Sequence, residues 1–265
     1  MLRLNLTNNS EEDVIREIFL PLSLNSKFSQ NLNDDVAFIK SSKKVLIKTD
    51  SLTEGVHCKI GTSAYKMGYK LLARCISDIA SKGGQPIGFT VAIFKPEGFG
   101  EKDLKDFSNG LKEFKVPLIG GDISNTNSKY FSANITIFAS FNGRKISKRE
   151  NAQVGESIYI TGKIGMAFLG FIGKIEFLPN YETPKPDLAL MQMLHNKYQI
   201  SSSIDISDGF KKDITSLLNA SKVGAEVDAN FIIDINFMQY AKEMLTFGDD
   251  YKIIFTSKEN IREEG

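Results

Sequence analysis

Hydrophobic and polar positions alternate along this chain with two different periods, and the alternation predicts strands and helices in turn. Apolar runs of strand length cover residues 44–50, 89–94, 116–122, 131–141, 157–162 and 251–256. Apolar residues at helical spacing cover residues 10–19, 64–83, 101–115, a segment from about 164, and residues 187–197 and 209–222. Ser10 with Asp13, and Ser63 further on, are predicted to cap the first two helices.

Six aspartate residues occur next to predicted strands; Asp34 and Asp35 precede a strand, and the other four lie where strands end. The six are Asp34, Asp35, Asp50, Asp122, Asp205 and Asp208. Asp50 is predicted to end its strand, and Asp122 to follow its strand at a Gly-Gly turn. If such strand ends gather at one edge of a sheet, the carboxylates repel one another unless cations neutralise them. Carboxylate oxygens, with water and phosphate, suit Mg²⁺, so the pattern predicts an acidic, metal-binding site.

Simpler structural roles compete with metal binding at these positions. Aspartate commonly caps helices and forms turns, so Asp208 could cap the helix that follows it. Asp213 is predicted to be a solvated charge in the first turn of that helix. Arg74, Asp78 and Lys82 are spaced four residues apart, as in a surface ladder of ion pairs. However, Asp78 lies in the C-terminal half of its helix, where the helix dipole disfavours an anion and a nearby metal would relieve the cost.

The two histidines and the glycine-containing segments give weaker signals. A lone histidine is more often a hydrogen-bonded structural residue than a catalyst, and this interpretation applies to His57 and more strongly to His195. The segment ITGKIG lacks the spacing of a phosphate-binding P-loop, and no zinc-binding spacing or nucleophile motif is present. The pattern alone therefore predicts an acidic site without specifying a reaction.

Composition and charge narrow the partners that this chain is expected to have. The 33 basic and 32 acidic residues give a formal net charge of +1, which argues against nucleic acid or a membrane surface and favours a small polar substrate. Cys58 and Cys75 lack the spacing of a disulfide framework, so a reducing cytoplasmic location is expected. The N-terminal segment has no uninterrupted apolar stretch, and no run approaches the length of a membrane span. A basic, polar stretch predicts a domain boundary at about residue 150.

Seven motifs, taken in order, resemble those of the thiamine-monophosphate kinase family. They are NDDVAFIK (33–40), KTDSLTEGVHC (48–58), LLARCISDIASKGGQP (71–86), LIGGD (118–122), SKRENAQVGESIYITGKIG (147–165), SIDISDGF (203–210) and FGDDYKIIFT (247–256). Their order and spacing carry the resemblance, which extends from about residue 30 to 256. The family belongs to the superfamily of aminoimidazole ribonucleotide synthetase-like ATP-binding proteins.

The resemblance implies a fold, an assembly and a reaction. The implied fold is the two-domain α+β aminoimidazole ribonucleotide synthetase-like fold. Its N-terminal domain (1–150) binds ATP and metal and forms the core of a homodimer, and a C-terminal α/β domain (151–265) follows. The implied reaction is direct in-line transfer of the γ-phosphate of ATP to thiamine monophosphate, which gives thiamine diphosphate and ADP and requires Mg²⁺. No covalent catalytic nucleophile is expected.

The resemblance also assigns roles to matching positions. Metal-ligand positions are matched by Asp34, Thr49, Asp50, Asp78, Asp122, Asp205 and Asp208. Nucleotide-contact positions are matched by Gly121, Asp122, Arg149 and Ser207, and substrate-contact positions by His57 and Asp249. Phosphoryl transfer needs positioning and charge neutralisation more than a nucleophile, so aspartates that hold Mg²⁺ suit it. The alternative for Arg149 is a solvated charge in a basic linker.

The chain departs from the family pattern at three residues and at its C-terminal end. Asn33 replaces a glycine, Lys48 replaces a small hydroxyl residue, and Asp249 replaces a glutamate. Lys48 is expected to bring a cation beside the metal site and to replace one metal's charge. Family chains continue further and carry an aromatic residue that stacks on the thiamine, so the substrate pocket is expected to be open or incomplete. The alternatives are therefore a truncated or inactive homologue that binds nucleotide and metal without turnover, or another ATP-dependent member of the superfamily.

Overall fold

The computed structural model describes residues 11–29, 32, 39, 44–141 and 146–262. The chain divides into two compact units. Unit 1 comprises Met1–Ser42, Thr49–Leu72 and Ile87–Phe138, and unit 2 comprises Lys43–Lys48, Ala73–Pro86 and Ala139–Gly265. The predicted helix cap Ser10 and the predicted metal ligand Asp34 lie outside the described residues. The domain boundary at about residue 150 stays a prediction.

The described residues form seven strands and nine α-helices. The strands are β1 (Lys44–Thr53), β2 (Gln85–Pro96), β3 (Leu118–Thr126), β4 (Ser132–Phe141), β5 (Ser157–Ile160), β6 (Ser202–Asp205) and β7 (Ile253–Ser257). The helices are α1 (Glu11–Val14), α2 (Ala64–Ser81), α3 (Glu101–Lys112), α4 (Met166–Phe171), α5 (Leu178–Glu182), α6 (Leu188–Lys197), α7 (Phe210–Ser221), α8 (Ala229–Ile232) and α9 (Ala241–Thr246). None of these helices has the length and apolar content that a membrane-spanning segment needs.

The strands form two sheets. The four-stranded sheet has the order β1-β4-β2-β3, and β2 runs parallel to β3 with Ala92 opposite Asp122. The three-stranded sheet has the order β5-β7-β6, and both of its pairs are antiparallel. In the second sheet Asp205 lies opposite Ile253, so the end of β6 is paired with the beginning of β7.

In unit 1, α2 and α3 approach each other so closely that only glycine fits at two contact positions. A β-carbon at Gly68 would lie 2.2 Å from the carbonyl oxygen of Phe107, and one at Gly110 would lie 2.1 Å from that of Tyr65. The Phe107 ring is buried, with its centroid 5.1 Å from that of Phe131. The glycines therefore allow the apolar faces of both helices to meet without a gap.

In unit 2, β7 supplies side chains to two separate apolar clusters. One cluster contains Ile254, with Ile204, Ile206, Phe210, Ile214, Leu217 and Met244 among its members. The other contains Ile253 and Phe255, with Ala80, Met191, Leu194, Ile200 and Ile261. Successive side chains of a strand point to opposite faces of its sheet, so β7 is buried on both faces. This explains its continuous apolar sequence.

The helices expected from the sequence agree with the structure except near the N-terminus. α2 begins after Ser63, whose hydroxyl oxygen accepts a hydrogen bond from the Lys66 amide (3.4 Å), and the chain turns at Gly83 with a φ of +65°. The helix predicted over 10–19 is α-helical only in α1. It continues as a π-helical turn over Ile15–Phe19 and a 3₁₀ turn over Leu20–Ser23.

We expect Gly110→Ala to destabilise the protein by at least about 2 kcal/mol, because the new methyl group meets backbone atoms of α2 that have no room to move. Helix propensity alone would favour alanine by about 0.5–1 kcal/mol, so a loss of stability identifies the helix contact as its cause. Urea unfolding followed by circular dichroism measures the change. Gly224→Ala is the matched control, since a β-carbon there has no atom within 4 Å. Equal stabilities for the two variants would contradict this account of the packing.

Candidate functional site

In unit 1, two of the predicted metal ligands lie side by side on β1. The Thr49 hydroxyl is hydrogen-bonded to that of Thr136 on β4, with 2.8 Å between the oxygens. The neighbouring Asp50 carboxylate accepts a hydrogen bond from the Ser51 amide (2.9 Å). The prediction that Asp50 ends its strand is wrong, because Leu52, which is completely buried, extends the strand's alternation and keeps it in the sheet as far as Thr53.

Asp122 lies within β3 instead of following it. The Gly120-Gly121 pair was expected to form a turn, but it continues the ladder opposite Thr90 and Val91. A β-carbon at Gly121 would lie only 2.5 Å from the carbonyl oxygen of Val91, so glycine here allows close approach of two strands. The Asp122 carboxylate accepts a hydrogen bond from the Ser124 hydroxyl (3.0 Å).

The order of the strands separates these unit 1 residues. Thr49 and Asp50 are on β1, and Asp122 is on β3, at the other end of the order β1-β4-β2-β3. Neighbouring strands are about 4.8 Å apart, so the three intervals from β1 to β3 correspond to about 14 Å across the sheet, perpendicular to its strands. The sheet therefore does not place Asp50 and Asp122 on neighbouring strands.

The loop after β1 fixes the orientation of the His57 ring. The Thr53 amide donates a hydrogen bond to His57 Nδ1 (2.9 Å), and the His57 amide donates one to the Thr53 carbonyl oxygen (2.9 Å). Glu54 accepts a hydrogen bond from the Gly61 amide (2.7 Å), which closes the loop. Because Nδ1 accepts a hydrogen bond, the proton of the neutral ring is assigned to Nε2. That nitrogen is then a donor, which suits an anionic oxygen as its ligand.

In unit 2, the carboxylate of Asp205 is buried at the end of β6. The Ser77 hydroxyl donates a hydrogen bond to it (2.8 Å). Burial and, next, the charge of Asp78 raise the pKa of Asp205 to about 7, while the Ser77 hydrogen bond and the Lys48 charge act in the opposite direction. Two neighbouring carboxylates in such a position favour an added cation.

Lys48 on β1 forms an ion pair with Asp78 on α2, with 2.9 Å between Nζ and Oδ2. The side chains of Lys48 and Asp78 are 34% and 24% exposed, so water only partly screens the pair. Lys48 was expected to bring a cation to this acidic region. In the structure its ammonium group contacts Asp78.

The alternative interpretation as a surface ladder of ion pairs is wrong at Lys82, whose ammonium group is buried. It donates hydrogen bonds to the carbonyl oxygens of Ser203 (2.5 Å) and Ser147 (3.0 Å). Burial, and secondarily the Arg149 charge, lower the pKa of Lys82 to about 8. Helical spacing indicated a solvated residue, but β6 and the segment before Arg149 cover this end of α2. No local sequence signal indicates that covering.

A chain of hydroxyl groups surrounds Lys82. The hydroxyl oxygens of Ser147 and Ser203 are 2.6 Å apart, and Ser203 also donates to the Ser81 carbonyl oxygen (2.5 Å). His195 Nε2 lies 3.3 Å from the same carbonyl oxygen. Burial lowers the pKa of His195 to about 4. His195 is thus a buried, hydrogen-bonded residue, as its sequence context predicted.

In the turn after β6 and the first turn of α7, Asp213 is buried and Asp208 is exposed. Asp213 was predicted to be a solvated charge, but it is buried and accepts hydrogen bonds from the amides of Ser207 (3.1 Å) and Asp208 (3.0 Å). Burial raises its pKa to about 6. Asp208 is exposed and forms an ion pair with Lys212 (2.6 Å), while no side chain caps the start of α7. The amides of the turn draw Asp213 inward, which a helical pattern does not reveal.

The segment Gly248–Tyr251 packs against the same turn. The Asp249 amide donates to the Ser207 carbonyl oxygen (3.0 Å), and a β-carbon at Gly248 would lie 2.2 Å from that oxygen. Asp249 has a φ of +68°, and its carboxylate accepts a hydrogen bond from the Tyr251 hydroxyl (2.6 Å). These contacts hold Asp249, the predicted substrate residue, beside Ser207, the predicted nucleotide residue.

Asp250 is a buried carboxylate that the sequence analysis did not identify. It accepts hydrogen bonds from the amides of Gly165 (2.7 Å) and Ala167 (3.1 Å) at the start of α4. Burial raises its pKa to about 7 despite these two hydrogen bonds. The sequence signal for Asp250 is its place in the aspartate pair of the motif FGDDYKIIFT, directly after Asp249.

Arg149 combines an anchored backbone with an exposed side chain. Its carbonyl oxygen accepts hydrogen bonds from the hydroxyls of Ser202 (3.0 Å) and Ser221 (2.6 Å). The Ser221 hydroxyl oxygen also accepts a hydrogen bond from the Ala152 amide (3.0 Å). An exposed guanidinium on a fixed backbone suits an oxyanion ligand, but it also fits the alternative of a solvated charge.

Unit 2 also contains a cavity of about 920 Å³. It is lined by β5, the segment before it and the segment between α7 and α8. None of the predicted metal, nucleotide or substrate residues lines it. In unit 2 the acidic residues and Arg149, and not the residues that line this cavity, are therefore the candidate functional residues.

Comparison with known proteins identifies the family. The AIR synthase related protein N-terminal domain matches residues 33–144. The thiamine-monophosphate kinase of Buchnera aphidicola subsp. Schizaphis graminum is 34% identical over 257 residues, which cover 88% of this chain and 78% of that protein. The chain belongs to the thiamine-monophosphate kinase family. The resemblance seen in the seven motifs is confirmed.

Solved structures of the thiamine-monophosphate kinase family have the same fold. A crystal structure of thiamine-monophosphate kinase from Stenotrophomonas maltophilia gives a TM-score of 0.76 at 25% identity and covers 85% of this chain and 79% of its own. A structure described as AaThiL complexed with AMPPCP and TMP gives a TM-score of 0.73 at 22% identity, over 97% and 87% of the two chains. The predicted α+β aminoimidazole ribonucleotide synthetase-like fold is confirmed.

The residues predicted to be metal ligands fit Mg²⁺ by their chemistry. They supply only carboxylate and hydroxyl oxygens, which Mg²⁺ prefers, and the buried Asp205 beside Asp78 favours an added cation. Among the described residues, no group of three His, Cys, Asp or Glu side chains stands close enough to hold a metal ion. A complete coordination sphere would therefore need oxygens from water and phosphate.

We expect Asp205→Asn to stabilise the metal-free protein at pH 8 by on the order of 2 kcal/mol. Since folding raises the pKa of this acid from 3.8 to about 7, the folded protein keeps a proton that the unfolded chain loses. The contribution of Asp205 to stability is therefore greatest at low pH and falls as the pH rises from about 4 to about 7. In urea unfolding with EDTA present, the free energy of unfolding of the variant should depend less on pH than that of the unsubstituted protein.

Asp208→Asn is the control for this prediction, because Asp208 is exposed and should change the pH profile little. Both variants are expected to weaken the binding of Mg²⁺-nucleotide. Loss of stability in both, with unchanged nucleotide affinity, would instead indicate that the two aspartates have only structural roles at the end of β6 and in the turn after it.

Proposed function

We propose that this chain phosphorylates thiamine monophosphate to thiamine diphosphate with ATP as phosphate donor. The observation that carries the proposal is its membership of the thiamine-monophosphate kinase family, with 34% identity over 88% of the chain. The related structure named as a complex with AMPPCP, an ATP analogue, and TMP supports the same two ligands here.

The proposed reaction needs no covalent intermediate. An oxygen of the thiamine monophosphate phosphate forms a bond to the γ-phosphorus of ATP, while the bond from that phosphorus to the β–γ bridging oxygen breaks. ADP leaves with the bridging oxygen and its electron pair, so the products are thiamine diphosphate and ADP. Such a transfer depends on in-line positioning and on neutralising the phosphate charges.

Two groups of residues are proposed to contact the nucleotide. Arg149 can bind phosphate oxygens through a bidentate guanidinium, and its anchored carbonyl oxygen limits the movement of its backbone. Gly121 and Asp122 on β3, and Ser207 in the turn after β6, are the other proposed contacts. The missing side chain at Gly121 leaves only backbone atoms at that point of the strand.

His57 and Asp249 are proposed to contact thiamine monophosphate. The hydrogen bond from the Thr53 amide to Nδ1 holds the imidazole so that Nε2 is its donor, which suits a phosphate oxygen. The Asp249 carboxylate is oriented by the Tyr251 hydroxyl. Since its side chain is shorter than the usual glutamate, it would reach a polar group of the substrate only at closer range.

Mg²⁺ is proposed as the cofactor. Its proposed ligands are Asp34, Thr49, Asp50, Asp78, Asp122, Asp205 and Asp208. Bound there, Mg²⁺ would neutralise phosphate charge and orient the γ-phosphate for transfer. We also propose a homodimer built on the N-terminal domain (1–150), with residues 151–265 as the second domain.

One observation favours a second candidate, a homologue that binds nucleotide without turnover. The Lys48 ammonium contacts Asp78, a proposed metal ligand, and so competes with a metal ion for it. Measuring ADP release with and without thiamine monophosphate separates the two candidates. We expect ADP release that depends on both thiamine monophosphate and Mg²⁺. Nucleotide binding without ADP release would establish the second candidate instead.

We expect His57→Ala to raise KM for thiamine monophosphate, or to lower kcat/KM, with the ATP and Mg²⁺ dependence nearly unchanged. Losing one hydrogen bond to a charged phosphate should cost about 1.5–3 kcal/mol in transition-state binding. Asp50→Asn should give the opposite pattern and mainly damage the Mg²⁺ dependence. A shift of the Mg²⁺ titration in His57→Ala, with KM for thiamine monophosphate unchanged, would show that the two assignments are wrong.

A further inference from the structure

Asp78 already has a cation beside it within unit 2. Lys48 Nζ lies 2.9 Å from Asp78 Oδ2, at the distance of a direct charge-assisted hydrogen bond. The Lys48 charge also favours the ionised form of the buried Asp205. A single ammonium group therefore acts on both carboxylates.

Lys48 contacts the Asp78 carboxylate directly. The other nearby lysine, Lys82, donates its hydrogen bonds to the carbonyl oxygens of Ser147 and Ser203, and its charge acts on Asp78 and Asp205 only through space. Lys82 is thus held by backbone carbonyl groups, whereas Lys48 is bound directly to a carboxylate oxygen of Asp78, a proposed metal ligand.

We propose that Lys48 is a built-in counter-cation that takes the place of one divalent ion at the Asp78–Asp205 side of the site. This inference rests on the proposed function, which makes both aspartates metal ligands. Its consequence is that this chain binds fewer divalent ions in unit 2 than its carboxylates alone would hold. It also folds around these carboxylates without metal.

Electrostatic repulsion explains why the Lys48 ammonium group and a divalent ion would not both bind at Asp78. A metal bound to Asp78 Oδ2 would lie within a few ångströms of the Lys48 ammonium, in a partly buried place where water screens charges poorly. Repulsion between the two cations would then offset the attraction of the carboxylate. Removing the Lys48 charge should open Asp78 to a metal ion.

The test counts bound metal ions and requires no turnover. Mn²⁺, a paramagnetic substitute for Mg²⁺, is titrated into the full chain, and free Mn²⁺ is followed by electron paramagnetic resonance. We expect Lys48→Met to bind about one more Mn²⁺ per chain than the unsubstituted protein, with at least tenfold tighter binding at the added site. The control is Lys44→Met, which removes the same charge from an exposed position on the same strand and should leave the count unchanged.

A second measurement keeps the inference testable if Lys48→Met folds poorly. In EDTA we expect the melting temperature of Lys48→Met to fall, because Asp78 and Asp205 lose their counter-charge, and we expect Mg²⁺ to restore it. Lys48→Gln should behave in the same way, whereas Lys44→Met should not respond to Mg²⁺ more than the unsubstituted protein does.

Two results would overturn the inference. One is an unchanged Mn²⁺ count in a folded Lys48→Met, and the other is a loss of stability that Mg²⁺ does not restore, which would mean that Lys48 only holds β1 to α2. The ADP assay is read separately. If the unsubstituted protein is an active kinase but Lys48→Met binds no additional Mn²⁺, this inference alone is refuted. If the unsubstituted protein has no kinase activity but Lys48→Met gains a Mn²⁺ site, the proposed function alone is refuted.

Discussion

The burial of one negative charge, the carboxylate of Asp205, constrains much of the structure of unit 2. Removing a carboxylate from water is costly unless hydrogen bonds or positive charges replace the lost solvation. Here Ser77 donates a hydrogen bond, Lys48 and Lys82 contribute positive charge, and Asp78 adds a second negative charge that makes the compensation incomplete. Such incomplete compensation is typical of sites that bind cations, because a structure optimised for stability alone would have an apolar residue here.

The same constraint explains why the ammonium group of a half-buried lysine lies withdrawn from solvent at the end of α2. Lys82 satisfies backbone carbonyl groups of β6 and of the segment that leads to Arg149, and serine hydroxyls connect the same elements. The positive charge is therefore held near the carboxylates without blocking them. A buried ammonium group is tolerated because all of its hydrogen-bond donors can find oxygen acceptors at close range.

Most of the elements and the family could be predicted from the sequence, because apolar periodicity and ordered motifs are local or sequential signals. α2, with Ser63 before it and Gly83 after it, follows directly from such signals. Errors arose where a distant segment decides the outcome. Asp213 and Lys82 have surface-like sequence contexts but are covered by segments remote in sequence, and Gly120-Gly121 permits close strand approach instead of forming a turn. The positions matched to the family remain predictions, since only bound ligands could test them.

The backbone hydrogen bond from Asp249 to Ser207 has a mechanical consequence. Gly248 brings the two segments so close together that neither can shift without the other. One segment carries a proposed donor-side residue and the other a proposed acceptor-side residue, so a thermal displacement of this region would move both by the same amount. The separation between the groups that hold the two phosphates would then stay constant while the region as a whole moves, which is the form of rigidity that an in-line transfer requires.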